Sequence, residues 1–409
     1  MTISEIPDTL SAERLMAVVQ QLSVVIGPRP PASRAEREAA AYIHNQIRAL
    51  DSQWDLINQP FRSIDGFRYR LAPLALVAGL NLLLGLNKNR QTQIITGATS
   101  VGLSMMSRDA FLARPAVWEH WLPRGESQNV IVRIPPRGKI ERRVVFMAHL
   151  DSGIHRITTD PRIVRQLPRT LGGITLMALI GGVLTMLSGK NQRWRALRTL
   201  LAGSALGGAA LAIMDEMGPD VNGAIGNASG VATLLGLATA LHQHPLQSTE
   251  VVLAFTGSAT AISTGADVFA AEYAKGWCNA LWVVVANVGV GELCWLTRHG
   301  ISPYAHYHPH PDAVQIMERV ADARPDLGMM GKEMVIIDEI SILRDRDLRA
   351  VGLMAYDRAT GLIPHWRQNS DTIHAVDPAT IERAAQACWT TAQIMDQAAQ
   401  GHFTWPPAK

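Results

Sequence analysis

An α/β fold is what this sequence predicts, and three observations predict it. Residues 144–147, Val-Val-Phe-Met, form a short apolar run rich in β-branched and aromatic side chains, as in a buried strand. From residue 229 onward, strand-like runs alternate with helical patterns, the rhythm of a sheet covered by helices. The run at 144–147 also leads straight into His149-Leu150-Asp151, and the carboxyl ends of strands are where open α/β sheets hold ligands.

Taken in order, residues 11–22 have helical spacing, closed by Gly27-Pro-Arg-Pro-Pro31. Ser33-Arg-Ala-Glu36 matches a capping box opening a helix to about Leu50. Residues 59–64 fit an edge strand. Residues 129–134 fit a strand that Pro135-Pro-Arg-Gly138 would turn into 144–147 as a hairpin. Beyond them come a helix at 229–242, a strand at 250–256, a helix at 266–274 and a strand at 281–288. A helix at 312–323, strands at 334–337 and 351–355, and a helix at 378–398 complete the chain; Cys294-Trp-Leu-Thr297 reads as strand core.

Two apolar segments interrupt this rhythm. Residues 71–86 and 94–107 flank a polar turn at 87–93; residues 171–188 and 199–214 flank a basic turn at 189–198. The four runs contain no Asp, Glu, Lys or Arg, and glycines such as Gly79, Gly172, Gly181, Gly203 and Gly207 suit close helix packing in lipid. Each is somewhat shorter than the roughly 20 residues a bilayer core asks for. Apolar on every face, they predict insertion into a membrane; a buried helical subdomain or an oligomer interface is the competing reading. The expected division is therefore an α/β domain at 1–70, 108–170 and 215–409, with helical hairpins at 71–107 and 171–214.

Composition narrows the function. A net charge of +3 across 409 residues, with no basic stripe interleaved with aromatics, points away from nucleic acid. Cys278, Cys294 and Cys388 are scattered and odd in number, fitting a reducing compartment. The first 24 residues carry Glu5, Asp8 and Glu13 and do not read as a signal peptide. Nine arginines flank the hairpins on the domain side (Arg62, Arg68, Arg70, Arg108, Arg114, Arg156, Arg162, Arg165, Arg169). Six basic residues occupy the turns (Lys88, Arg90, Lys190, Arg193, Arg195, Arg198), so the positive-inside rule favours a multi-pass protein with a cytoplasmic α/β domain.

His-x-Asp at a strand end suits a metal site, where a carboxylate fixes the ring and tautomer of a ligating imidazole; a core histidine with a satisfied partner is the competing reading. Four stretches bear on the choice: Ala148-His-Leu-Asp-Ser152, Gly223-Ala-Ile-Gly-Asn-Ala-Ser-Gly230, Phe255-Thr-Gly-Ser-Ala-Thr260 and Pro364-His-Trp-Arg-Gln-Asn-Ser-Asp-Thr372. In content and order they resemble the di-zinc aminopeptidase family that includes aminopeptidase Y, glutaminyl cyclase and transferrin-receptor-like proteins. The resemblance spans residues 33–398 outside the hairpins. It implies a three-layer α/β/α domain with a mixed, mainly parallel sheet. It also implies two zinc ions that share a bridging aspartate, each with one histidine and one further carboxylate, and a glutamate as general base. His149 corresponds to the first histidine, with Asp151 as its support, and His365 to the second.

The acidic positions differ. The bridging aspartate corresponds to Gly226, the general base to Ala259, and the adjacent ligand to Thr260; the last ligand corresponds most closely to Ala286. Catalytic zinc needs about three protein ligands, and each ion would keep one. Compensation would fall to Asp215, Glu216, Asp220, Glu292 or Asp338, several at once. The resemblance therefore implies a pseudoenzyme without a cofactor, and the apolar hairpins add a membrane anchor, so the expected action is binding of a lipid and a protein or peptide partner. The rival is an active zinc-dependent exopeptidase with substituted ligands. A serine hydrolase built on Ser152 or Ser229 lacks a nucleophile elbow, and His306, His308 and His310 read as a solvated loop.

Overall fold

The computed structural model describes residues 6–64, 68–87, 89–111, 124–187, 193–303 and 305–406. Elements in chain order are α1 (Ala12–Gln20), α2 (Arg34–Leu50), β1 (Asp55–Ser63), α3 (Arg68–Leu84), α4 (Arg90–Phe111), β2 (Gly125–Ile134) and β3 (Arg142–His149). Then come α5 (Leu167–Leu187), α6 (Arg193–Asp215), α7 (Ser229–Gln243), β4 (Thr249–Thr256), α8 (Ala259–Ile262), α9 (Thr264–Tyr273) and β5 (Leu281–Val285). The last are β6 (Glu292–Ser302), β7 (Ala305–Tyr307), α10 (Pro311–Ala323), β8 (Met330–Met334), α11 (Ile340–Asp345), β9 (Arg349–Tyr356) and α12 (Pro378–Ala399).

The sheet runs β1-β2-β4-β3-β5-β9-β6-β7, with β8 beside β6. Its centre, β4-β3-β5-β9, is parallel; β2 joins β4, β1 joins β2, β6 joins β9 and β7 joins β6, each antiparallel. Side chains alternate across the pleat. Val144, Phe146 and Ala148 pack with α1, α2, α7, α10 and α12 on one face, and Val145 and Met147 with α9 and α11 on the other. This is the three-layer arrangement. Because α7 leads from β3 to β4 on one face and α9 from β4 to β5 on the other, the chain reverses direction across the sheet at β3. That switch point is where such sheets open a cleft, and His149 ends β3 there.

Two strand expectations change. β2 and β3 do not form a hairpin, because β4 lies between them, antiparallel to β2 and parallel to β3. The Pro135–Gly138 connection crosses the start of β4, with Arg137 and Gly138 donating to the carbonyls of Leu246 and Gln247 at 2.8 and 2.9 Å. Residues 334–337 are not a strand of their own: the strand is Met330-Gly-Lys-Glu-Met334, a polar edge with no apolar run to announce it. Residues 335–337 instead leave the sheet, and Ile336 and Ile337 line the cleft. The segment at 281–288 stops as a strand at Val285, where the backbone bends to a positive φ at Asn287.

The four apolar runs are helices of 17, 22, 21 and 23 residues, and the two hairpins pack as one bundle, α3 along α6 and α4 along α5. Glycines set the spacing. A Cβ on Gly97 would stand 2.6 Å from the Gly182 carbonyl, and one on Gly79 would stand 2.7 Å from Leu206. The outer surface stays apolar, with Leu80, Ile95, Met105, Ile180, Leu200 and Leu211 all exposed. Among the described residues three helices are long and apolar enough to cross a membrane: Val164–Leu187, Trp194–Asp215 and Ala224–Gln243. The third is α7 with its preceding turn, 89% buried inside the α/β domain. In α3 the apolar stretch is shorter, Leu74–Leu84. Of the basic residues used for sidedness, Lys88, Arg114 and Lys190 lie outside the described residues, and the second turn ends by Arg193, where α6 begins.

Candidate functional site

β3 delivers His149 to the cleft. Its Nδ1 lies 2.8 Å from the Asp151 carbonyl oxygen and 3.5 Å from Asp151 Oδ1. A carbonyl only accepts, so Nδ1 carries the proton and Nε2 is left for the cleft. Asp151 is fully buried. Its Oδ1 accepts the Ala259 N–H at 2.8 Å; its Oδ2 accepts the Thr260 N–H at 2.7 Å and the Thr260 hydroxyl at 2.5 Å. Burial alone would lower the His149 pKa, but the hydrogen bond and charge of Asp151, with the charge of Glu339, raise it. Burial would likewise raise Asp151, yet His149 and the Thr260 donors pull it below the usual carboxylate range. The two side chains therefore stabilise each other, and Asp151 ties His149 to the segment where the resemblance places a base and a ligand.

The glycine motif folds as a tight turn into α7. Gly223 adopts φ +64°, and a Cβ there would lie 2.3 Å from Asn227 Oδ1. Gly230 brings the helix onto the sheet, where a Cβ would stand 2.3 Å from the Val285 carbonyl. At Gly226 a Cβ would lie 3.0 Å from Asp371 Oδ2. The space beside this position is thus taken by the carboxylate of Asp371. That carboxylate accepts the Ile225 N–H at 2.6 Å and the Gly226 N–H at 3.2 Å. Burial lifts the Asp371 pKa to about 6, against those N–H groups and the charge of Arg29.

Arg29 is itself fully buried. It donates to the carbonyls of Leu22 and Gly27, to Leu150 O at 3.1 Å, and to Asn227 Oδ1 at 3.0 Å. Asn227 in turn donates to Leu150 O at 2.7 Å. Glu36, meant by its capping box to reach the N-cap, goes further. It accepts the Ser258 N–H at 2.6 Å and the Ser127 hydroxyl at 2.8 Å, and burial pushes its pKa to about 8. Sequence pattern marks neither as a site residue; a charged residue beside Gly-Pro turns and one at an N-cap look like surface.

The opposite wall comes from the segment after β8. Asp338 and Glu339 are buried at the cleft, each raised by burial to about 7, and Thr256 Oγ1 donates to Glu339 at 2.6 Å. Glu339 Oε2, Asp338 Oδ2 and Asn287 Oδ1 make no hydrogen bond within the protein. The cleft is a cavity of about 60 Å³ bounded by His149, Gly226, Ala259, Ala286, Glu339 and Asp371, among others. Strained backbone is concentrated here: Ser263, Asn287 and Arg367 line it at positive φ, and Ser258 and His365 adjoin lining residues in the same conformation.

His365 does not join His149. It sits half-buried outside the cavity lining, with Nδ1 2.8 Å from Ser370 Oγ. Thr260 Oγ1 is committed to Asp151, and Gly226, Ala259 and Ala286 offer no side-chain donor. Of the compensating acids, only Asp338 reaches the cleft. Asp215 and Glu216 bind Arg156 beside it, while Asp220 bridges Ile154 and Glu292 opens β6. Among the described residues no group of three or more His, Cys, Asp or Glu is placed to hold a metal ion. These donors do not fit a zinc pair.

Ser152 accepts the Arg29 N–H and Ser229 donates to the Ile225 carbonyl, so both serve structure. His306 belongs to strand β7 and not to a loop, and His310 caps α10 by accepting the Asp312 N–H at 3.2 Å.

No protein-family model matches this chain, and no curated protein does. Solved structures do. A Bacteroides thetaiotaomicron glutaminyl cyclase bound to N-acetylhistamine aligns with TM-score 0.56 and 15% identity over 95% of this chain and 99% of its own. A zinc aminopeptidase from Bacillus subtilis aligns with TM-score 0.57 and 12% identity, over 96% of each chain. A Zn-dependent exopeptidase from Parabacteroides distasonis aligns with TM-score 0.54 and 16% identity, over 94% and 98%. The likeness covers nearly the whole of each structure.

Proposed function

From the zinc-aminopeptidase and glutaminyl cyclase fold that this chain adopts, we propose a membrane-anchored pseudoenzyme that works by binding and hydrolyses no peptide. The observation that carries this reading is the Asp371 carboxylate packed against Gly226 and held by two backbone N–H groups. Where the resemblance calls for a bridging metal ligand, the chain has a hydrogen-bonded turn. The Ala259–Thr260 segment binds Asp151 in the same way. Groups so committed neither coordinate an ion nor take a proton from water.

The anchoring half of the proposal rests on the bundle. Its outward face is apolar along its length, and an apolar surface of that extent on a protein in water would drive aggregation. The even number of helices returns the chain to one side each time, and the basic residues favour the cytoplasm for the α/β domain.

The rival, a metallo-aminopeptidase using Asp338, Glu339 and the Nε2 of His149, draws on the acids gathered in the same cleft. Elemental analysis and aminoacyl-anilide hydrolysis of the purified protein separate the two. The expected result is no stoichiometric zinc and no chelator-sensitive cleavage; two equivalents of zinc with metal-dependent hydrolysis would overturn it.

A further inference from the structure

A second cavity, of about 140 Å³, lies where the bundle meets the α/β domain. Its two ends differ in chemistry. One wall is apolar and belongs to α5 and α6, through Leu171, Ile174, Leu211 and Ala212. The other holds Arg156 and Arg367 and is shared with the cleft at Ala259, Thr260 and Trp366.

The charges at the polar end are unevenly matched. Asp215 accepts from Thr158 N–H at 2.8 Å, from the Thr158 hydroxyl at 2.7 Å and from Arg156 at 3.3 Å; Glu216 pairs with Arg156 at 2.5 Å. Arg367 has no carboxylate partner among the described residues. Its guanidinium sits 5.9 Å from the Trp366 ring and reaches only the Thr260 carbonyl, at 3.4 Å. Burial and the nearby Arg156 charge lower its pKa to about 9, against the opposing charges of Glu216, Asp151 and Asp215. Its own backbone is held at φ +51°, which fixes where the side chain starts.

We propose that this cavity binds a single-chain anionic amphiphile, its head group on Arg367 and its acyl chain lying along α5 and α6. A planar guanidinium suits a carboxylate or phosphate head. Leu211 of this wall is itself exposed on the outer surface of the bundle, so a ligand in the bilayer would enter sideways. The inference deepens the binding role proposed above and rests on the bundle lying in a membrane.

The test uses full-length protein purified in detergent, with the fluorescent polyene fatty acid cis-parinaric acid as probe. Saturable binding displaced by oleic acid, but not by oleyl alcohol or inorganic phosphate, is the expected result. Arg367→Gln should weaken it about tenfold or more, the scale of a lost charge-assisted hydrogen bond, and Arg367→Lys less. Ala212→Phe should block the chain; a thermal scan of each variant shows whether it is folded, and Arg367→Lys decides if Ala212→Phe is not. Equal displacement by acid and alcohol with Arg367→Gln unaffected would overturn the proposal, as would displacement by phosphate alone. Recovery in the membrane fraction without saturable binding sinks this inference and spares the anchoring reading. Recovery without detergent, with binding intact, does the reverse.

Discussion

The helices α5 and α7 read alike in sequence and end in opposite places. The first lies in a segment of 24 residues with mean hydropathy 1.9, the second in one of 20 residues at 1.4, and both pass as membrane crossings by length and composition. In the fold, 89% of the α7 segment is buried against the sheet, while only 28% of the α5 segment is buried. Hydropathy reports that a helix must leave water; what it leaves water for is set by its neighbours. The α7 segment sits between two strands of the α/β rhythm and opens with the Gly223–Gly230 turn, whose glycines seat it on the sheet. The α5 segment follows no strand pattern and meets mainly other apolar helices and β6.

The largest effect should come from placing the same charge on both helices. Leu237→Lys, at a fully buried position of α7, should unfold the domain, because an unpaired ammonium inside a packed core costs several kcal/mol. Ile180→Lys, exposed on α5, should leave the α/β domain folded by limited proteolysis but cut recovery in the membrane fraction, at about 3 kcal/mol for a lysine at mid-bilayer. Equal unfolding by both would mean that α5 is a core helix too.

The second contrast lies inside the cleft. Asp151→Ala leaves His149 without its carboxylate and three donors buried without their acceptor, so a loss of about 3–5 kcal/mol in chemical denaturation is expected. His149→Ala removes a partner from one side only and should cost about 1–2 kcal/mol. Chelators should move neither midpoint. A chelator-induced drop of several degrees in the wild type would mean that a structural metal persists.

The extent to which this was legible follows the same line. The α/β rhythm, the His149–Asp151 end and the four motifs all rest on local pattern, and the fold bears out that reading. The β2–β3 order failed because nothing local says that a strand more than a hundred residues later will slip between two neighbours; only the seven-residue Pro-rich link, long enough to step over β4, carried a trace of it. β8 failed because Lys332 and Glu333 suit an edge exposed to water. At the site, substitutions at Gly226, Ala259 and Thr260 could be read as losses, but what took their place could not. Asp371 approaches Gly226 from 145 residues away, and Arg29 and Glu36 come from the start of the chain to bond Leu150 and Ser258 beside the cleft.

The buried acids give a pH signature of intermediate size. Glu36, Asp338, Glu339 and Asp371 are all raised, to about 8, 7, 7 and 6, chiefly by burial. A raised acid holds its proton in the fold where the unfolded chain has lost it. Stability is therefore greatest near the unfolded carboxylate range and falls as pH rises through the folded values. His149, also raised, adds in the same direction, its contribution being lost as pH climbs past its folded value. Asp151 opposes them only at low pH, where its depressed value is finally crossed. The melting temperature should thus be higher at pH 5.5 than at pH 8, and Glu339→Gln should flatten the slope by about 2 kcal/mol over that range. A rise in stability toward pH 8 would mean that these acids are paired with cations that the geometry does not supply.

The smallest effect tests how the bundle is covered. Gly97 and Gly207 are both helical glycines of apolar runs, but their surroundings differ. A Cβ on Gly97 meets Met186 Cγ at 2.5 Å and the Gly182 carbonyl at 2.6 Å, and the second contact is backbone that cannot swing aside. Gly97→Ala should therefore push α4 away from α5 and cost about 1–3 kcal/mol, the usual price of overpacking. Around Gly207 nothing lies within 4 Å. Gly207→Ala should stabilise α6 by about 0.5–1 kcal/mol, since alanine removes backbone freedom from the unfolded chain and fills only open space. Thermal midpoints in detergent measure both, and a loss of stability at Gly207 would mean that another surface packs closely on that face of α6.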